Sequence, residues 1–333
     1  MTFMENVLQK AKAAKKTVVL PESEDPRVAA AAAKILSEQI ADIILIGEKD
    51  KICKLHPDLD LSQARFEDPA TSILREEFNQ KYWELRKHKG CSESDASEEM
   101  AKAIPFGVMM LKAGLADGLV AGAVHSTADT LRPALQILRT KPGTKLVSSF
   151  ILIDSPQKEF GEDGLLLFSD VALMIDPDAD QLSEIALSSA ESFKRLTGKE
   201  ARVAMLSFST FGSGTGKCIE KVVEATALAK GKNPDIILEG ELQADAALVP
   251  IVAALKAPGS KIAGKANCLI FPDLNSANIS YKLVQRLGKA GAYGPILQGI
   301  AKPVNDLSRG ASVDDIIGVV ALTCVQSTQE TEN

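Results

Sequence analysis

The chain has 333 residues, 45% hydrophobic and 25% charged, with a formal net charge of −6. That length suits two domains of ordinary soluble composition, and the acidic balance argues against a broad nucleic-acid surface. The five cysteines are scattered and odd in number, no CxxC occurs and only three His are present, which excludes a disulfide framework and a zinc site and fits reduced thiols in a cytoplasm.

At the N-terminus Phe3, Val7, Leu8 and Ala11 recur at helical spacing, which predicts a short amphipathic helix and no signal peptide. Residues 17–20 read as a buried strand ended by Pro21. Asp25-Pro26 opens an Ala-rich helix to about residue 36, and 41–47 form a second strand. Continuous apolar strands joined by a helix predict a parallel sheet covered on both faces. Residues 68–104 are charged and helical, and they contain the cationic run Arg86-Lys87-His88-Lys89-Gly90. Such a run is either a solvated helix end or a clamp for a polyanion. Residues 116–124 form a glycine-containing strand that leads into His125-Ser126-Thr127-Ala128-Asp129-Thr130-Leu131-Arg132. Small hydroxyl residues between strand and helix predict an anion-binding turn, at the carboxyl end where open α/β sheets bind ligands. A plain helix cap is the other reading of Ser126 or Thr127. His125 reads as structural.

Residues 141–145 are the linker candidate. A second α/β rhythm follows, with strands at 146–153, 164–174 and 202–207 and helices near 180–196, 217–230 and 244–256. Phe211–Cys218 imitates a P-loop but lacks its chemistry. Phe211 replaces the required glycine, Cys218 replaces the hydroxyl that would hold magnesium, and Lys217 replaces the third glycine of a dinucleotide fingerprint. It reads as a flexible loop lining a cleft. A strand at 266–271, a polar turn at 272–275 and a helix at 278–287 follow. Tyr293, between Gly291 and Gly294, is a packing aromatic or a substrate contact. The longest apolar run, 316–325, is far short of a membrane span. The acidic tail Gln329–Asn333 reads as frayed.

Most of the anion-handling chemistry sits in residues 302–315, KPVNDLSRGASVDD. This reads as a loop feeding a helix N-terminus, with Ser308 beside Arg309 and a capping pair, Ser312 and Asp315. A planar guanidinium beside free N–H groups suits phosphate or carboxylate. The run KPVNDLSRG with an acid six residues after the Arg closely resembles the phosphate acetyltransferases. Residues 82–90, 116–138, 237–250 and 266–287 resemble the same family, so the likeness covers most of the chain.

The resemblance implies two α/β domains with mainly parallel sheets and an interdomain cleft, as in isocitrate and isopropylmalate dehydrogenases. Domain I would be residues 1–142 plus 297–333, and domain II residues 143–296. It implies reversible acetyl transfer between acetyl-CoA and inorganic phosphate by direct attack in a ternary complex. Asp315 would be the base on the coenzyme A thiol, while Arg309 and Ser308 stabilise the oxyanion. Arg86, Ser126, Thr127, Thr130, Arg132 and Tyr293 would bind substrate. A free thiol is only about 3% ionised at neutral pH, so a base on it is useful. Ala311 stands where some relatives carry Cys, which rules out an acyl-cysteine there. Coenzyme A is then a substrate, with no tightly bound cofactor, no metal, no nucleic-acid or membrane partner, and a homodimeric assembly in the cytoplasm. The alternatives are a phosphate butyryltransferase, a decarboxylating dehydrogenase, and a non-catalytic acetyl-CoA-binding regulatory domain, which a free-standing chain disfavours.

Overall fold

In the computed structural model, which describes residues 2–328, the apolar runs near the N-terminus build a parallel sheet. The tail Gln329–Asn333 lies outside the described residues. The chain divides into two units, Met1–Gly143 with Ile300–Asn333, and Thr144–Gly299.

The first unit opens with α1 (Phe3–Ala14), whose N-terminus is closed by a capping box between Thr2 and Glu5. Strand β1 (Thr17–Leu20) leads to α2 (Pro26–Ser37), capped by Asp25 with Pro26 at its first position. Strand β2 (Asp42–Ile46), α3 (Lys49–Leu55) and β3 (Arg65–Glu67) follow. The long charged stretch is not one helix. It divides into α4 (Arg75–Arg86), a 3₁₀ turn Lys87–Lys89, α5 (Glu93–Met100) and α6 (Ala103–Lys112). Gly90, at φ +84°, ends the first part, and Ser92 with Asp95 caps the next. Strand β4 (Gly118–Ala121), buried throughout, then delivers the chain to α7 (Thr127–Ile137).

The second unit contains β5 (Ser148–Asp154), β6 (Leu165–Ser169), α8 (Ala179–Thr197), β7 (Val203–Leu206), α9 (Lys217–Lys232) and β8 (Leu238–Leu242). The predicted helix at 244–256 is two, α10 (Ala244–Leu248) and α11 (Pro250–Lys256), because Pro250 starts a new helix. Strand β9 (Cys268–Ile270), α12 (Leu274–Leu287) and β10 (Gly291–Gln298) complete it. Its sheet runs β10-β5-β6-β9-β7-β8; β6, β9, β7 and β8 are parallel, and β10 and β6 flank β5 antiparallel. The Gly-rich loop before α9 is tied down. Buried Glu241 accepts the Ser209 hydroxyl at 2.8 Å and the Gly212 N–H at 2.7 Å, where the sequence suggested flexibility.

The chain then returns to the first unit as β11 (Val304–Asp306) and α13 (Val313–Thr328). The first sheet has the order β11-β4-β1-β2-β3, and all its pairings are parallel. Buried Asn305 donates to Thr323 Oγ1 (2.8 Å) and Gln326 Oε1 (2.7 Å), which ties α13 to its strand. The apolar run 316–325 is therefore a helix enclosed by α1, α2 and the sheet. Among the described residues no helix is long and apolar enough to cross a membrane. The direction of sheet growth reverses at β1: β2 lies on one side and β4 on the other. Crevices at the carboxyl ends of such a reversal are where open α/β sheets bind ligands.

Candidate active site

Three turns meet at those carboxyl ends, following β1, β4 and β11. The β4–α7 turn is shaped from within by Glu22. Its carboxylate is 6% exposed and accepts the N–H groups of Gly122 (2.9 Å), Ala123 (2.8 Å), Val124 (3.0 Å) and His125 (2.8 Å), with His125 Nδ1 also at 2.8 Å. The N–H groups of residues 122–125 thus serve an internal anion. Those left for a ligand are on the first turn of α7, where Thr127 and Ala128 have no intrahelical acceptor. Glu22 was missed from sequence. Its one signal is an acid directly after a buried strand and Pro21.

Ser126 is the α7 cap. It accepts the Asp129 N–H at 3.2 Å and donates to Asp129 Oδ2 at 2.6 Å, which, with lesser help from Arg132 and His125, holds the Asp129 carboxyl below its usual range. Thr127 and Thr130 differ from expectation. Thr127 gives its hydroxyl proton to Asp306 Oδ2 at 2.6 Å, and Thr130 is wholly enclosed. The Thr127 hydroxyl thus supports the turn and the Thr130 side chain is buried, whereas the sequence reading offered both to a phosphate. Asp306 is 2% exposed; burial pushes its carboxyl up to about 6, against the pull of Thr127, the Leu307 N–H and Thr130, and Glu22's charge adds to the rise.

The turn after β11 is anchored by Leu307 N–H on Ala121 O at 2.7 Å, then leaves Ser308, Arg309 and Gly310 exposed. Arg27 joins all three turns. Its guanidinium donates to the carbonyls of Arg309 (2.7 Å), Ala311 (3.1 Å) and Ala123 (2.9 Å) and pairs with Asp25 (2.9 Å). Arg309 Nε approaches His125 O at 3.5 Å, which sets Ser308 and Arg309 beside the start of α7. Asp315 is partly exposed and completes the capping box at α13, accepting the Ser312 N–H (2.9 Å) and hydroxyl (2.8 Å) on Oδ2. The cap predicted from spacing is present.

A cavity of about 560 Å³ opens beside α7 and is lined by Tyr82, Arg86, Lys89, Lys102, His125 and Arg132 among others. That volume falls in the usual range of small-molecule sites. It brings Arg86 and Arg132 together. Tyr82 hydroxyl donates to Gln136 Oε1 at 3.2 Å, which ties the helix carrying Arg86 to the one carrying Arg132. Cys91 also lines the cavity, and burial, with Asp95 nearby, pushes its thiol up. Tyr293 belongs to the second unit, partly exposed on β10 opposite Leu152. Among the described residues no group of three or more His, Cys, Asp or Glu side chains could hold a metal ion.

The chain matches, over residues 2–324, the family model described as "Phosphate acetyl/butaryl transferase". It is 54% identical over 327 residues to a phosphate acetyltransferase from Acetivibrio thermocellus, covering 98% of each chain. It superposes on a phosphotransacetylase from Streptococcus pyogenes with a TM-score of 0.92 at 42% identity, over 99% of this chain and 100% of that one. At 9% identity, the likeness to a putative 4-hydroxythreonine-4-phosphate dehydrogenase from Salmonella typhimurium is one of fold alone, with a TM-score of 0.53 over 93% of this chain and 99% of that one.

Proposed function

From the premise that this chain belongs to the phosphate acetyl/butyryltransferase family, we propose the mechanism by which it acts as a phosphate acetyltransferase. The enzyme is an acyltransferase that moves an acetyl group between acetyl-CoA and inorganic phosphate. The observation that carries the mechanism is the approach of Arg309 to the β4–α7 turn, beside a cavity that holds Arg86 and Arg132.

Coenzyme A is a long polyanion, and the cavity offers it guanidinium groups on two helices. Arg86 and Arg132 bind its phosphates, where charge-assisted bidentate bonds are strongest. Inorganic phosphate, or the phosphoryl end of acetyl phosphate, sits on the first turn of α7. It is held there by Ser126, the free N–H groups and Arg309. Thr127 acts one step back, by fixing the turn through Asp306, and Thr130 is enclosed beneath it.

In the direction of acetyl-CoA synthesis, Asp315 Oδ1, which takes no part in the capping bonds, accepts the proton of the coenzyme thiol. The thiolate attacks the acetyl carbonyl, Arg309 and Ser308 stabilise the oxyanion, and phosphate leaves. In reverse, phosphate attacks the thioester and protonated Asp315 returns the proton to the leaving sulfur. Such a base is worth ~10²–10⁴ in rate, and an oxyanion donor ~3 kcal/mol. We assign direct transfer: Ala311 offers no nucleophile, and burial pushes the Cys91 thiol in the cavity up, which disfavours its thiolate. Holding both substrates in line supplies the remaining acceleration.

The five thiols are free, which suits a cytoplasmic enzyme. On α12, Ala277, Tyr281 and Val284 pack on the core while Ile279, Leu283 and Leu287 form an exposed apolar stripe. That stripe favours a homodimer. The deciding experiment is thiol release from acetyl-CoA with and without phosphate. Phosphate-dependent release with acetyl phosphate as co-product is expected, and release that ignores phosphate overturns the reading.

A further inference from the structure

Two buried carboxyl groups bear on one glycine. Gly122, at φ +112°, gives its N–H to Glu22 Oε2 at 2.9 Å, and a Cβ added to it would collide with Asp306 Oδ1. The two carboxyls are unequally served. Glu22 accepts four backbone N–H groups and meets the His125 ring, so its charge is well met. Asp306 Oδ2 takes the Thr127 proton at 2.6 Å, whereas Oδ1 and the enclosed Thr130 Oγ1 lie near one another with no well-formed hydrogen bond on either. These are two of the three such buried side-chain atoms among the described residues. An ionised carboxylate with one bare buried oxygen, close to a second carboxylate, is the costly member of the pair.

The other neighbours relieve it only in part: Thr127, the Leu307 N–H and Thr130 pull the carboxyl down, and burial outweighs them. β4 and Gly122, which follows it, contribute backbone, and α7 contributes the neutral hydroxyls of Thr127 and Thr130, with Asp129 and Arg132 on its exposed face. α13 packs on β11 with apolar residues from Ile316 onward, and its Asp314 and Asp315 stand at the first turn, in contact with Lys34 and Ser312. Glu22's charge acts on Asp306 in the unfavourable sense, and the nearby cation Arg27 is engaged by Asp25 and three backbone carbonyls.

We propose that Asp306 is a positioning residue that takes up one proton when an oxyanion docks on the first turn of α7. The idea rests on the functional reading above, in which that oxyanion is phosphate. The proton comes from solvent. An O–H bond forms at Oδ1, the carboxyl goes from anionic to neutral, and the new O–H is directed at Thr130 Oγ1. Two changes then favour the bound state: the repulsion between the incoming anion and a buried carboxylate is removed, and two bare polar atoms gain a partner. With its carboxyl raised to about 6, Asp306 is poised to exchange a proton near neutrality. Phosphate binding is therefore linked to proton uptake by a group that never touches it.

The test is a titration of the aspartate carboxyl carbons in isotopically labelled protein by NMR, with and without inorganic phosphate. Asp170, buried in the second unit, also has a raised carboxyl, so more than one high midpoint is expected; one of them should rise on adding phosphate, and that one should vanish in Asp306→Asn. In kinetics, the phosphate KM of the variant relative to wild type should fall several-fold as pH rises, since Asn imitates the protonated form, while kcat and the acetyl-CoA KM keep constant ratios. High midpoints that all ignore phosphate, or no high midpoint at all, overturn the proposal, and both outcomes are read on wild type even if the variant fails to fold. A chain that releases no thiol with phosphate sinks the functional reading instead, and the carboxyl titration without phosphate still judges the buried pair.

Discussion

The Arg27 guanidinium donates to the backbone carbonyl of Arg309 at 2.7 Å, across 282 positions of sequence. The same group holds the carbonyls of Ala311 and Ala123, so one side chain sets both the loop that presents Arg309 and the turn it faces. Arg27→Met keeps much of the aliphatic bulk and strands three carbonyls. Loss of about 2 kcal/mol of stability is expected, and a fall of ~10²-fold in kcat/KM is reasonable for a misplaced Arg309. Denaturant midpoints and steady-state kinetics check this. Burial raises the Asp25 carboxyl, but hydrogen bonds and charge from Arg27 more than offset it and leave Asp25 below its ordinary value. A depressed acid stabilises the fold above its unfolded value, so the advantage of wild type should shrink below about pH 4. An advantage that is constant through acid would show that the Arg27–Asp25 pair is not its source.

Asp315 carries two candidate roles that substitution separates. Asp315→Asn keeps an oxygen for the Ser312 N–H, so the cap survives in part while the base is lost. A drop in kcat of ~10²–10⁴ with little change in either KM is expected, because general-base catalysis acts in the transition state. Ser312→Ala removes the cap hydroxyl and should cost about 1 kcal/mol of stability while leaving most of kcat. If both variants lose only stability, Asp315 is a cap and nothing more.

The sequence carried the gross architecture because the strands of the first sheet are continuous apolar runs buried on both faces, as Val18–Leu20 and Ile43–Ile46 show. Turn chemistry was legible too, since Ser126, Asp25 and the Ser312–Asp315 pair cap as their spacing suggests. Other features were hidden for physical reasons. Residues 304–306 read as loop because Asn and Asp have low strand propensity, yet they pair with β4 and Asn305 finds partners on α13. Residues 291–298 read as no element, because Gly291, Gly294 and Pro295 break the strand pattern, yet they form an irregular strand against β5. Glu22 and Asp306 were invisible because their partners lie 100 or more positions away, and no local pattern marks a carboxylate that caps a distant turn. The direction of the Thr127 and Thr130 hydroxyls was lost with them.

Arg86 and Arg132 line one cavity from two helices joined by the Tyr82–Gln136 hydrogen bond. Replacing either by Gln removes a charge but keeps reach and polarity. Hydrogen bonds to charged groups are worth about 1.5–3 kcal/mol, so the KM for coenzyme A should rise ~10–100-fold for each. The phosphate KM should move less, and the dependence of coenzyme binding on salt should weaken. Equal effects on both substrates would mean that the cavity is not the coenzyme site.

Asp306 also predicts how stability depends on pH. Its carboxyl is raised from 3.8 to about 6 in the folded chain, chiefly by burial. A raised acid favours the fold while it is protonated, so its contribution is full below about pH 4 and is lost as pH rises through about 6. The rise corresponds to about 3 kcal/mol between those limits. Asp306→Asn has no proton to lose and should lack this decline. Urea midpoints measured for both proteins from about pH 4 to about pH 7 should therefore converge or cross, with wild type losing ground to the variant as pH rises. Curves that stay parallel across that window would place the titration of Asp306 elsewhere and remove the basis for linking its proton to anion binding.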